Sequence, residues 1–276
     1  MLITDIKGFV ELRNGVHMPY LGLGVFQIND MNVIDVVKYA LKVGYRHIDT
    51  ASIYGNERGV GIAIRESGIP REEIFITTKV WNSDQGYNKT ITAFERSLKL
   101  LGLDYIDLYL VHWPVKEKFV DTWKALEKIY TEGLVRAIGV SNFLIHHLDH
   151  LLKECNEPPM VNQIEFHPYL VQQDLLDYCN EKKIQVEAWS PLMQGKIFSV
   201  SMLSTIAKKY NKDIAQLVLR WDLQKGVVTI PKSAHKERIL SNADIFNFEI
   251  AKEDMLAIDS LNRNQRIGPD PDNFDF

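Results

Sequence analysis

Eight times in succession a short apolar run of strand character precedes a segment with helical patterning, and few folds can absorb that regularity in one chain. The runs occupy 20–26, 45–51, 74–81, 106–113, 135–142, 160–166, 184–191 and 227–233. Helical patterns follow over 32–44, 56–68, 90–102, 121–133, 144–155, 172–183, the pair 201–210 and 213–226, and 237–246. The strand runs are largely apolar rather than alternating, as expected when both faces are buried. Many helical segments close on a glycine suited to the position after the last turn. Eight such units in about 250 residues match a closed (β/α)8 barrel. The rival, an open doubly wound sheet, usually carries G-x-G-x-x-G after its first strand, and GLGVF (22–26) does not supply it. The expected fold is therefore α/β: a (β/α)8 TIM barrel, one domain over 1–276. FVELRNGVHMP reads as an N-terminal β-hairpin, with Asn14 and Gly15 both at positive φ in a tight primed turn. Extra helices fall in the C-terminal third, the last over 252–261.

Composition narrows the partners. A 276-residue chain that is 46% hydrophobic and 25% charged can bury a core without a disulfide or metal staple. Net charge is 32 − 36 = −4 with no basic block, which argues against nucleic acid. No apolar run approaches membrane-spanning length, and MLITDIKGFVELRNG lacks the charged-then-apolar pattern of a signal peptide. Cys155 and Cys179 have no second ligand-like Cys or His pair beside them, so reduced thiols and a cytoplasmic location are expected. Nothing signals an interface, and a monomer is the default.

Three ionisable residues close successive strand runs: Asp49 in HIDTA, Lys79 in FITTKVW and His112 in LYLVHWP, at intervals of 30 and 33 residues. In a parallel sheet of β-α units this spacing brings them to one rim, where neighbouring strands lie about 4.8 Å apart. Tyr54, five residues after Asp49, falls on the loop above that rim. Taken singly, Asp49 reads as a helix cap, Lys79 as a snorkelling chain, Tyr54 as loop packing and His112 as a satisfied core histidine. Four together at the carboxyl ends of consecutive strands are an arrangement for proton transfer, and that is the face on which barrels place their sites.

GYRHIDTASIYGNE, KVWNSDQG, DLYLVHWP, IGVSNF, VNQIEFHP, AWSPL and IPKS, in that order, resemble the signatures of the aldo-keto reductases, especially the compact bacterial and protozoan members. The resemblance runs from the hairpin to GPDPDNF and implies NADPH as cofactor, no metal, and Tyr54 as general acid. An ordinary phenol has a pKa of about 10, and Lys79 is expected to lower it. Asp49 would keep Lys79 charged, and His112 would orient the carbonyl. The cofactor shell it implies comprises Gly24, Val25, Ser141, Asn142, Gln163, a stacking Trp189, then Ser190, Pro191, Leu192 and Gln194, with Met193 and Gly195 alongside. Ile230, Lys232, Ser233 and Arg238 would take the 2′-phosphate and Asn242 the adenine, while Ser241 departs from the glutamate common there. Phe26, Trp81, His112 and Trp113 would form an aromatic substrate pocket. The short C-terminal tail suggests an open, permissive mouth. The expected activity is NADPH-dependent reduction of small aldehydes, glyoxals or keto-sugars. The alternatives are a dedicated diketogluconate, quinone or prostaglandin-endoperoxide reductase, or a non-catalytic cofactor-binding regulatory subunit.

Overall fold

The computed structural model describes residues 3–276; residues 1 and 2 of the expected domain lie outside the described residues. Among the described residues ten strands form two sheets. Strands β1 (Phe9–Glu11) and β2 (His17–Pro19) pair antiparallel, with Val10 opposite Met18. The other eight run parallel and in chain order: β3 (Gly22–Gly24), β4 (His47–Asp49), β5 (Phe75–Val80), β6 (Ile106–Val111), β7 (Val135–Ser141), β8 (Val161–Glu165), β9 (Gln185–Trp189) and β10 (Val228–Thr229). Bridges between Leu21 and Thr229 and between Gly24 and Lys232 close the seam, with Thr229 N–H donating to Tyr20 O at 3.1 Å. The last strand is far shorter than its apolar run because Pro231 has no N–H to offer the ladder.

Helices alternate with the strands: α1 (Asn32–Val43), α2 (Glu57–Glu66), α3 (Tyr87–Leu101), α4 (Phe119–Thr131), α5 (Ile145–Glu154) and α6 (Gln173–Glu181). The pair α7 (Ser201–Lys209) and α8 (Ile214–Gln224) separates β9 from β10, and α9 (Lys236–Ala243) and α10 (Lys252–Asp259) complete the chain. The helices between the first strands bury an apolar stripe on the barrel, as Val33, Val36, Val37, Ala40 and Leu41 do in α1. Gly44 (φ 121°) and Gly102 (φ 63°) end α1 and α3, as the sequence pattern expects. Every strand–helix unit read from the sequence is present, in order.

The hairpin turn differs from expectation. Only Gly15, at φ 83°, has positive φ; Asn14 does not. Gly15 N–H donates to Leu12 O and Leu12 N–H to Val16 O, both at 2.8 Å, which leaves a three-residue loop. One left-handed residue suffices for that loop type, so the two-residue primed turn does not form.

The barrel interior is polar at its centre. Asp49, Lys79, Gln163, Glu187 and His47 all lie inside and are essentially inaccessible to solvent. Gly22 makes room for them: an added Cβ there would fall 2.7 Å from His47 Nδ1 and 2.8 Å from Ile230 Cγ2. Among the described residues no helix is long and apolar enough to cross a membrane, and Cys155 and Cys179 are free thiols.

Candidate active site

Asp49 ends β4 and Lys79 is the penultimate residue of β5, so neighbouring strands present them side by side. Lys79 Nζ donates to Asp49 Oδ1 at 2.7 Å, Asp49 Oδ2 at 2.8 Å and Thr50 O at 2.8 Å. A buried ion pair is tolerated only when its charges and protons are matched this fully.

Tyr54 sits on a 3-10 turn, Ser52–Tyr54, directly after β4. Ser52 Oγ donates to Lys79 O at 3.0 Å and pins that turn to β5. Asn56, fully buried, donates to Val25 O and Ile28 O and accepts from Thr50 Oγ1 at 2.6 Å. This amide locks the Tyr54 loop to the loop after β3. Sequence reasoning assigned Asn56 no role, although it stands in the YGNE signature. Lys79 Nζ lies 5.3 Å from the Tyr54 ring centre. His112 follows β6, edge-on to Tyr54 at 5.9 Å and to Trp81 at 5.1 Å between ring centres.

The electrostatics follow from burial. Desolvation pushes the Lys79 ammonium down, but Asp49 and Tyr54 outweigh it and the net shift is upward, so the amine stays charged. Burial raises the Tyr54 phenol, the Lys79 charge pulls it back, and Asp49 adds to the rise; the net direction is up. The expected lowering by Lys79 is thus present but outweighed. The phenol remains a proton-bearing donor at neutral pH, over an ammonium that stabilises its conjugate base. Burial and then Lys79 hold His112 well below the usual imidazole range, which makes it a neutral hydrogen-bonding group. Its Nδ1 is buried with no hydrogen-bond partner among the described residues.

Around the same rim the backbone is unusual. Gln27 (φ 58°), Asn142 (φ 65°) and Ser190 (φ 51°) are left-handed non-glycine residues just past β3, β7 and β9. Such conformations cost on the order of 1–3 kcal/mol each and cluster where a site is shaped. Asn142 Nδ2 donates to His112 O at 3.0 Å, and its Oδ1 accepts from Trp189 Nε1 at 2.9 Å. Ser141 Oγ donates to Gln163 O at 2.9 Å. After β9, Met193, Gln194 and Gly195 are also left-handed and wind Pro191, Leu192 and their neighbours into a tight turn.

Gly24 and Val25 are buried in the seam, Gly24 N–H donating to Pro231 O and Val25 N–H to Asp49 O. Ile230, Ser233 and Asn242 are buried, and Lys232 and Arg238 are exposed. Neither Lys232 nor Arg238 joins an ion pair among the described residues. Two uncompensated cations beside the first turn of α9 fit an anionic phosphate by charge and by donor chemistry. Gln163 is buried, its amide directed at Asp49 and Glu187.

The tail corrects the expectation of an open mouth. Phe276 stacks on Trp81 at 5.7 Å and 8° and meets Trp113 edge-on at 5.3 Å. Phe274 packs on Trp113 at 5.1 Å, and Asn82 Nδ2 donates to Phe276 O at 3.0 Å. Opposite, Phe26 tilts over Tyr54 at 4.9 Å. Buried Glu165 anchors the approach to the tail by accepting from Ile267 N–H at 2.6 Å and from Gly268 N–H. Gly268 is required there, since a Cβ would lie 2.4 Å from Trp189 Cη2. The aromatic pocket thus has a roof from the end of the chain. Replacing Phe274 and Phe276 with alanine is expected to raise KM for aromatic aldehydes several-fold while leaving kcat within about twofold, measured on 4-nitrobenzaldehyde; loss of kcat instead would move the tail into the chemistry.

The Aldo/keto reductase family model matches residues 20–263. The chain belongs to the aldo/keto reductase family. Among aldo/keto reductases it is similar to glyoxal reductase of Bacillus subtilis, at 60% identity over 99% of both chains. It is also similar to 9,11-endoperoxide prostaglandin H2 reductase of Trypanosoma cruzi, at 59% identity over 96% of this chain and 95% of that one. A solved aldo-keto reductase from a Medee basin deep-sea metagenome library superposes with a TM-score of 0.95 at 50% identity, over 97% of this chain and 100% of that one. The Bombyx mori aldo-keto reductase solved in complex with NADP gives a TM-score of 0.90 at 34% identity, over 96% and 95% of the two chains. Members of the aldo/keto reductase family thus share its barrel along nearly its whole length.

Proposed function

We propose that this chain catalyses NADPH-dependent reduction of small aldehydes and ketones, glyoxals among them, with Tyr54 as the proton donor. The observation that carries the reading is the buried Lys79–Asp49 pair against a protonated phenol, with a neutral imidazole beside it. NADPH, when bound, supplies the hydride. Everything else falls to the protein's own residues. The aromatic walls Trp81, Trp113 and Phe26 admit the carbonyl compound and exclude water. His112 hydrogen-bonds its oxygen and turns it toward Tyr54. As negative charge develops on that oxygen, the Tyr54 hydroxyl gives up its proton, and the fixed Lys79 charge stabilises the phenolate left behind. Asp49 prevents Lys79 from losing its proton in that dry interior.

Ser141 and Asn142 would face the carboxamide end of the cofactor, Gln163 could offer it only its amide oxygen because both amide protons go to Asp49 and Glu187, and Trp189 would stack on its ring. Ser190, Pro191, Leu192 and Gln194 would follow the pyrophosphate, with Gly24, Val25 and Ile230 closing the seam below and Asn242 beside the adenine. Lys232, Ser233 and Arg238 would grip the 2′-phosphate. Lys232→Ala with Arg238→Ala is therefore expected to weaken NADPH by about 100-fold and NADH by less than about threefold, each charge-assisted contact contributing ~1.5 kcal/mol. Equal losses for the two cofactors, read by fluorescence titration, would remove the 2′-phosphate assignment. The free thiols suit a reducing compartment and extend the reading to the cytoplasm.

The reading as a whole is tested by following NADPH oxidation with methylglyoxal and with 4-nitrobenzaldehyde. Turnover that needs both NADPH and the carbonyl is expected; binding of NADPH without turnover on either would overturn it in favour of a regulatory role.

A further inference from the structure

Beneath the Lys79–Asp49 pair lies a second carboxyl group that the mechanism above does not use. Glu187 stands in the middle of β9, directly across from Gln163 in the parallel register of β8. Its side chain is wholly buried. The single amide nitrogen of Gln163 donates one proton to Asp49 Oδ2 at 2.8 Å and the other to Glu187 Oε2 at 2.7 Å. One side-chain amide therefore spans both carboxyl groups. Among the described residues the remaining oxygen, Glu187 Oε1, has no hydrogen-bond partner.

The groups facing Glu187 come from several elements. From β4, His47 places Nε2 3.6 Å from Glu187 Oε1, while that nitrogen also meets Thr77 Oγ1 of β5 at 3.0 Å. His47 is held down at about 3, by burial and then by Lys79, so it brings no positive charge. Asp49 of β4 is a second acid, Lys79 of β5 a cation already claimed by Asp49, and Tyr54 a phenol on the loop above. A carboxylate at this point would own one hydrogen bond, face another carboxylate across one amide, and lack a cation of its own. The neutral acid is the form such a place accepts. Burial, then the Asp49 charge, push Glu187 up to about 8.

We propose that Glu187, held as the neutral acid and tied through the Gln163 amide to Asp49, is a positioning residue that fixes the net charge beneath Tyr54, so that carbonyl reduction fails when it ionises. With Glu187 neutral, one carboxylate balances one ammonium. When it ionises, a second negative charge enters beneath the phenol and raises its pKa, making Tyr54 a poorer donor. The added repulsion also acts on Asp49 through the amide that holds it in place.

The inference rests on the carbonyl-reductase reading for its kinetic consequence but not for its chemical core. The test compares wild type with Glu187→Gln, an isostere that cannot ionise, using NADPH and methylglyoxal from pH 6 to pH 9.5. At pH 7 the two are expected to agree in kcat within about twofold. Burial and the Asp49 charge place the ionisation of Glu187 on the alkaline side, so wild type should lose kcat several-fold between pH 7 and pH 9.5. Glu187→Gln should lose far less. Difference infrared spectra give the independent arm: wild type minus Glu187→Gln should show a protonated carboxyl band at pH 7, and wild type should lose that band on titration to pH 10. An alkaline limb identical in both proteins, or no such band at pH 7, overturns the proposal. The band in the difference spectrum reports the Glu187 proton whether or not methylglyoxal is turned over. A missing band thus counts against Glu187, whereas a wild type inert toward every carbonyl counts against the reductase reading.

Discussion

Tyr54→Phe is expected to lower kcat for carbonyl reduction by about three orders of magnitude, within the 10²–10⁴ range usual for a positioned general acid. The hydroxyl is the group that donates, and the ring's contacts with Phe26 and His112 survive the substitution. NADPH affinity should stay within about twofold, because no atom proposed to hold the cofactor is removed. Fluorescence titration for binding and steady-state rates for turnover separate the two effects. Near-normal turnover in Tyr54→Phe would take this residue out of the mechanism.

Lys79→Met should be costly in two ways. Removing one member of a buried pair leaves Asp49 as an uncompensated charge, worth about 3–5 kcal/mol of stability, which for a domain of this size lowers Tm by about 10 °C. The phenolate would also lose its counter-charge, and turnover should fall by at least about 100-fold. Adding Asp49→Asn to Lys79→Met separates these effects. The double variant carries no orphan charge, so much of the stability should return while turnover remains lost. If the double variant stayed as unstable as the single one, the ion-pair account of the barrel centre would be wrong. Calorimetry and NADPH oxidation together decide it.

The periodic part of the molecule was legible in the sequence. Asp49, Lys79 and His112 close apolar runs at intervals of one β-α unit, and any parallel barrel places such residues on one rim. Tyr54 follows from its distance to Asp49. What escaped was non-periodic or depended on the environment. Asn14 carries the same residue type in either hairpin turn, and only loop length separates them. Glu187 sits in an ordinary-looking strand, IQVEAW, whose significance appears only when β8 sets Gln163 opposite it. Asn56 and Glu165 act on backbone groups far away in the chain, at Val25, Ile28, Ile267 and Gly268, with no local pattern to announce them. The direction of the Tyr54 shift depends on how deeply its hydroxyl is desolvated, a three-dimensional quantity. The tail has no helical or strand period, so its return over Trp81 and Trp113 could not be inferred from spacing.

That return has a practical corollary for anyone altering the enzyme. The acid, amine and imidazole are built into barrel strands or their first loop residues, whereas the roof is made by Phe274 and Phe276, which lie outside the barrel sheet. The roof over the pocket can therefore be varied without touching a barrel strand, while the walls Phe26, Trp81 and Trp113 stand beside the reacting groups. Libraries confined to residues 270–276 should vary the roof while leaving every barrel strand intact.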